Sequence, residues 1–172
     1  MLLSAPTAVP NEIVIDECLT FLLAGADTVA ATTQWTLYFL AKYPDVQEKL
    51  RAEILEHTGT SGITEDLDVN KMTYMRHVIQ ESLRLRTPTP GIHRVAAEDC
   101  VLAGIAIPKG TDLLMMYHVT HTDERYWNEP LKFMPERFEE PVKHPYAFIP
   151  FLAGQRFVHI FWRENLRILE IV

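Results

Sequence analysis

The stretch Met72–Pro90, MTYMRHVIQESLRLRTPTP, decides how this chain folds. Glu81 and Arg84 stand three residues apart, a spacing that puts an acid and a base on one face of a helix. On an exposed helix such a pair is commonplace and worth only about 0.2–0.5 kcal/mol. Here Val78, Ile79, Leu83 and Leu85 surround it, which places the pair near a buried edge. A buried acid–base pair needs a further partner, because each desolvated charge has to be satisfied. Arg137, in the PERF of Pro135–Phe138, is the candidate, since it lies in aperiodic sequence able to pack there. A solvated salt bridge on an ordinary helix remains the competing reading of these residues alone. The helix is predicted over 70–85, and the following Thr-Pro-Thr-Pro-Gly ends it.

Before this stretch lies a much longer helical one. Pro10-Asn11-Glu12 is a helix start, and helix-compatible sequence continues to Tyr43, where Pro44 stops it. A helix over 11–43 would be ~48 Å long at 1.5 Å per residue. A compact domain of this size is only ~40 Å across, so the helix would overhang its own domain. It is apolar on most faces around Phe21, Leu22, Leu23, Trp35, Leu37 and Phe39, the mark of a helix at the centre of something larger. Such a helix without its covering layer is expected to drive self-association or poor solubility. Asp45 is predicted to cap a second helix that ends at Gly59, with Val46, Leu50, Ile54 and Leu55 as its apolar stripe. A polar loop follows over 59–68.

After the quoted stretch the period changes. HRVAAED, CVLAGIAIPKGT and DLLMMYHVTH read as short extended segments, with turns at Gly104 and at Pro108-Lys109-Gly110, so a small sheet is predicted over 93–121. Residues 122–156 are rich in proline and aromatics without a period, a packed irregular coil. Residues 157–172 read as a terminal helix with Phe161, Leu166, Leu169 and Val172 on one face. The predicted fold class is mainly α with a small β-sheet, residues 1–172 forming a single incomplete domain.

Bulk properties narrow the function classes. With 48% hydrophobic and 23% charged residues over 172 positions the chain is globular. A net charge of −7 argues against a nucleic-acid partner, which requires a basic surface. Cys18 and Cys100 are far apart and in no metal-type spacing, which fits a reducing compartment without disulfides. MLLSAPTAVPNEIVIDE at the N-terminus carries no basic leader, so no signal peptide or anchor is expected in this chain. Asp16, Glu17, Gly25 and Asp27 interrupt Ile13–Ala41, leaving too little for the ~20 apolar residues of a membrane span.

Four groups carry possible chemistry. AGADT, Ala24–Thr28, places an acid beside an alcohol within an apolar helix, and Gly25 makes a notch there. Thr28 can bond back to the carbonyl one turn earlier and open a kink. The arrangement suits proton delivery to a bound ligand, or is simply a core helix with a satisfied Asp–Thr pair. The second group is Glu81, Arg84 and Arg137. In the third, Arg94 and Arg156 are candidate carboxylate clamps, because guanidinium binds carboxylate bidentately. Gly154 would let the backbone approach a flat cofactor closely. The fourth, His118, His121 and Asp123, is a weak metal set, because two histidines three apart on a strand would face opposite ways.

In this order and at these distances the pieces resemble the C-terminal half of a cytochrome P-450, a haem-thiolate monooxygenase, of eukaryotic microsomal type. The AGADT helix resembles that family's long distal helix, and Met72–Pro90 resembles its ExxR helix and proline turn. GIAIPKGT, then His121, Asp123, Trp127, Pro130 and FMPERF, resemble its small sheet and following coil. HPYAFIPFLAGQR, His144–Arg156, resembles the approach to its cysteine loop. The resemblance covers nearly the whole chain and implies an incomplete cytochrome P-450-type fold. It implies haem as cofactor, an electron-donating reductase and an apolar small-molecule substrate as partners, and insertion of one oxygen atom from O2. For the full-length form it implies the endoplasmic reticulum membrane. By resemblance, Asp27 and Thr28 would be the acid–alcohol pair that delivers protons to bound dioxygen, with Ala24 and Gly25 over the distal haem face. Glu81, Arg84 and Arg137 would form a structural network. Arg94 and Arg156 would hold haem propionates, Phe151 would pack beside the axial sulfur, and Gly154 would let the backbone approach the haem closely.

The chain then departs from the pattern. Aligned through Phe151, Gly154 and Arg156, the axial cysteine position falls on Val158, and Ile160 stands where a glycine is expected. Valine has no lone pair for iron. His159 is adjacent and an imidazole can ligate iron, but it is one position off in a tight loop. GQRF, Gly154–Phe157, also fits the turn that follows the family's cysteine, in which case the loop itself is deleted. Either way no axial cysteine remains. The departure is abrupt, as from a shifted reading frame, a misjoined exon or a degenerate gene copy. The expectation is a truncated chain that is inactive alone. The alternatives are a remnant or interaction fragment without haem, and a haem protein with a changed ligand.

Overall fold

The computed structural model describes residues 9–59 and 68–153. The predicted terminal helix over 157–172 and most of the predicted loop over 59–68 lie outside the described residues, as do Gly154, Arg156, Val158 and His159. The chain is mainly helical, with small antiparallel sheets.

Helix α1, Asn11–Lys42, is one 32-residue helix. Its threonines bond back along one stripe: Thr28 Oγ1 donates to the Ala24 carbonyl at 2.7 Å, Thr32 to Thr28 and Thr36 to Thr32 at 2.8 Å. That internal bond lets a hydroxyl be buried without a tertiary partner, and Thr32 and Thr36 are buried. Among the described residues, the buried positions of α1 are Thr32, Thr36, Phe39 and Leu40, all in its C-terminal part. Phe21, Leu22 and Leu23 are 62–68% exposed.

Helix α2, Pro44–Thr58, starts one residue before the expected cap. Asp45 therefore lies inside the first turn, and Tyr43 is the cap residue without a side-chain bond. The reason is Pro44, whose fixed φ and missing N–H suit the first helical position, so the residue that stops α1 also begins α2. Gly59 closes α2 at φ 58°, its N–H donating to the Leu55 carbonyl. Val46 and Leu50 are buried, whereas Leu55, expected in the same stripe, is exposed.

A 3-10 turn at Val69–Lys71 precedes helix α3, Thr73–Leu85, three residues later than predicted. Its N-cap residue, Met72, makes no side-chain cap bond. Glu53 of α2 caps α3 instead, its Oε1 and Oε2 accepting the N–H groups of Tyr74 and Met75, each at 2.8 Å. Ten of the thirteen residues of α3 are buried, which makes it the hub of the molecule. The core joins Leu40 of α1, Leu50 of α2, and Met75, Val78 and Leu83 of α3 to Phe133 of the coil. Phe133 stacks on Phe39 with ring centroids 4.5 Å apart.

The predicted single sheet is two separate hairpin-like pairs. Strand β1, Ile92–Val95, pairs antiparallel with β4, Asp112–Met115, and β2, Cys100–Leu102, pairs antiparallel with β3, Ile105–Ile107. The rest of DLLMMYHVTH is not extended: Tyr117–His121 forms the short helix α4. The sequence turns here because residues 89–91 pack against the β4–α4 junction. The Tyr117 hydroxyl donates to the Thr89 carbonyl, and the His118 N–H donates to the Pro90 carbonyl at 3.1 Å. A Cβ on Gly91 would stand 2.7 Å from the Met115 carbonyl oxygen, so only glycine permits this approach. The coil then folds back over α3, with a 3-10 turn at Pro135–Phe138. No helix among the described residues is long and apolar enough to cross a membrane.

Candidate functional site

The best-defined polar constellation is centred on Glu81, whose side chain is fully buried on α3. One turn along, Arg84 is equally buried and grips it bidentately, Nε to Oε2 at 2.8 Å and Nη2 to Oε1 at 2.9 Å. From the 3-10 turn, Arg137 Nε donates to Oε1 at 2.9 Å, and the Met134 N–H donates to the same oxygen at 2.9 Å. One carboxylate thus faces two guanidiniums. The surplus positive charge is spread over main-chain carbonyls. Arg84 donates to the carbonyls of His121 and Pro130, each at 2.7 Å. Arg137 donates to that of Asn128 at 2.9 Å and to those of Glu129 and Lys132, each at 3.3 Å. Both guanidiniums lie over the ring of Trp127, Arg84 at 5.0 Å and Arg137 at 5.8 Å from its centroid. A desolvated charge cluster is stable only when its donors are satisfied in this way. Glu129 adopts φ 47°, the left-handed region, within the turn that supplies three of these carbonyls.

His121 connects this cluster to the end of the coil. Its carbonyl takes Arg84, and its ring, fully buried, accepts the Ile149 N–H at Nε2 over 3.0 Å. The ring sits between Tyr117 and Phe148, with centroids 5.7 and 5.6 Å away. Burial, then His118, then Arg84 push its pKa down to about 4, so the imidazole is neutral at ordinary pH. Burial, and secondarily Arg86 and Arg84, also lowers His118. His118 and His121 lie three apart on helix α4, not on a strand, so they are not turned to opposite faces. Asp123 is instead occupied by Arg125 at 2.6 Å, and no group of three or more His, Cys, Asp or Glu among the described residues could hold a metal ion.

The other sequence-derived candidates are placed separately. Ala24, Gly25, Asp27 and Thr28 lie on the poorly covered part of α1, where Asp27 is exposed and a Cβ on Gly25 would meet nothing within 4 Å. Arg94 is exposed on β1, opposite Leu113, and one of its nitrogens donates to the His93 carbonyl at 2.8 Å. Phe151 packs with Phe148 against the core. Cys18 is exposed on α1 and Cys100 is half-buried on β2. The structure therefore gathers Glu81, Arg84 and Arg137 into one cluster and sets the α1 segment and Arg94 on open surfaces. Sequence reasoning missed Met134, which contributes only its main chain, and the ring contacts of His121. The FMPERF run was the available signal for the former.

Comparison with known proteins adds the family context. The family model described as Cytochrome P450 matches residues 5–157 and so ends one position before Val158. The chain is 39% identical over 150 residues to cytochrome P450 4V2 of Rattus norvegicus, covering 85% of this chain and 29% of that protein. It is 37% identical over 138 residues to isoflavone 2'-hydroxylase of Medicago truncatula, covering 80% and 28% respectively. It is 40% identical over 151 residues to cytochrome P450 4d2 of Drosophila melanogaster, covering 85% and 30%. The chain thus spans less than a third of the length of these relatives.

Proposed function

The chain belongs to the cytochrome P450 family, and from that premise we infer that it is the scaffold portion of a haem-dependent monooxygenase fold, without the ligand the chemistry requires. In the whole fold, haem would supply activation of O2 for insertion of one oxygen atom into an apolar organic substrate, with electrons from a reductase. Within this chain Ala24 and Gly25 would offer a flat group an open notch, and Asp27 and Thr28 would hold and pass protons at the carboxyl and hydroxyl oxygens. Arg94 and Arg156 would pair with propionates, while Phe151 and Gly154 would flank the loop. The Glu81–Arg84–Arg137 cluster would hold the coil in place rather than take part in the reaction. The full-length form would reside at the endoplasmic reticulum membrane.

The donor set does not fit a thiolate-bound iron. The sequence has two cysteines, one on α1 and one on β2, and Val158 stands where the alignment requires the third. Val158 is the observation that carries the reading of a chain inactive alone. A haem titration tests it, following the Soret band in the ferric and the reduced, carbon monoxide-bound states. No saturable shift is the expected result. A thiolate-type band would overturn the reading, and a histidine-type band would replace it with one in which His159 is the ligand.

A further inference from the structure

We propose that His121 is a positioning residue that fixes the main chain of residues 147–153 to the buried ion cluster of α3. The inference deepens the functional reading above, because the fixed segment leads into the loop assigned to haem. Three observations carry it. First, His121 is attached at both ends: its carbonyl is held by Arg84 at 2.7 Å and its Nε2 by the Ile149 N–H at 3.0 Å. One residue thus couples α3 to the coil through bonds that are both buried or nearly so. Second, the direction of the ring bond is fixed. A backbone N–H can only donate, so Nε2 must be the bare nitrogen and Nδ1 must carry the proton. His121 Nδ1 is buried and has no hydrogen-bond partner among the described residues. Third, burial keeps the ring neutral, and the groups facing it add to that. Arg84 from α3 and His118 from α4 both disfavour a second proton, and its ring neighbours Tyr117 and Phe148 bring no compensating negative charge at neutral pH. The ring contact with Phe148 sets the segment's side chain as its acceptor sets the main chain.

The test is hydrogen–deuterium exchange of the full chain, free of haem, at the Ile149 amide. His121→Phe keeps a ring and removes the acceptor; His121→Gln restores a carbonyl oxygen near the Nε2 position. The Phe variant should exchange Ile149 about tenfold faster or more, while amides within α3 change little and the Gln variant recovers protection. Equal protection of Ile149 in wild type and His121→Phe would overturn the proposal. If the Phe variant unfolds as a whole, the imidazole nitrogen resonances of the wild type decide instead. A bare Nε2 with a protonated Nδ1 supports the proposal, and the opposite tautomer overturns it. None of these readouts involves haem, so a thiolate-type Soret band in the haem titration would count against the functional reading and leave this one standing.

Discussion

At the scale of single residues, Glu81 carries the most consequence. Two guanidiniums and the Met134 N–H converge on its carboxylate. Glu81→Gln keeps the shape but leaves Arg84 and Arg137 without a counter-charge, and breaking a buried pair from one side costs about 3–5 kcal/mol. Urea unfolding should show that loss, and should show a smaller one for Arg137→Ala, because that side chain sits at the rim of the cluster. Equal midpoints for wild type and Glu81→Gln would refute the account. His121 sets a pH dependence. Its folded pKa is about 4 against an ordinary 6.5, so the unfolded chain binds the proton more readily. Its contribution is fully present above pH 6.5 and is lost as pH falls toward 4, amounting to something on the order of 3 kcal/mol. Unfolding midpoints measured across that window should fall with pH in the wild type and fall less in His121→Gln.

At the scale of elements, the β1–β4 pair and α4 depend on how residues 89–91 pack. Gly91→Ala would drive a methyl group into the Met115 carbonyl and the Met116 sulfur, so a loss of about 1–3 kcal/mol is expected, read by thermal unfolding. A neutral substitution would mean the turn can move away freely. The elements differ in how far the sequence announces them. The helical character of α1 and α3 is legible because caps, breakers and apolar spacing are all local. The three-residue spacing of Glu81 and Arg84 suffices to place them on one helix face. The start of α3 is not legible, because its cap is Glu53, twenty-one residues before Tyr74. Helix α4 is hidden for a similar reason. Tyr117, Val119 and Thr120 are aromatic or β-branched residues that suit a strand, and packing against Pro90 overrides that propensity. The carbonyls around Arg84 and Arg137 leave no mark in sequence at all, since every residue has one.

At the scale of the whole molecule, the core is concentrated around α3 and leaves much of α1 uncovered. Ile15, Leu19, Phe21, Leu22 and Leu23 are all more than half exposed. A cleft of about 510 Å3 lined by Trp35, Tyr38, Leu85 and Leu131, among others, adds further apolar surface. Sedimentation velocity should therefore show association that rises with concentration and weakens when Leu19 and Leu22 are changed to Glu. A monodisperse monomer at tens of micromolar (about the range used for such runs) would refute it. The same arrangement has a mechanical side. Helix α1 is clamped from Thr32 onward, so the part before it is a beam of ~32 Å fixed at one end. A tilt of about 5° at the clamp would carry Asn11 through roughly 3 Å, yet Thr28, one turn (~6 Å) from the fulcrum, would move only about 0.5 Å. The acid–alcohol segment therefore sits where leverage is least: whatever docks along the beam can swing its tip without displacing the hydroxyl and carboxyl beside the clamp.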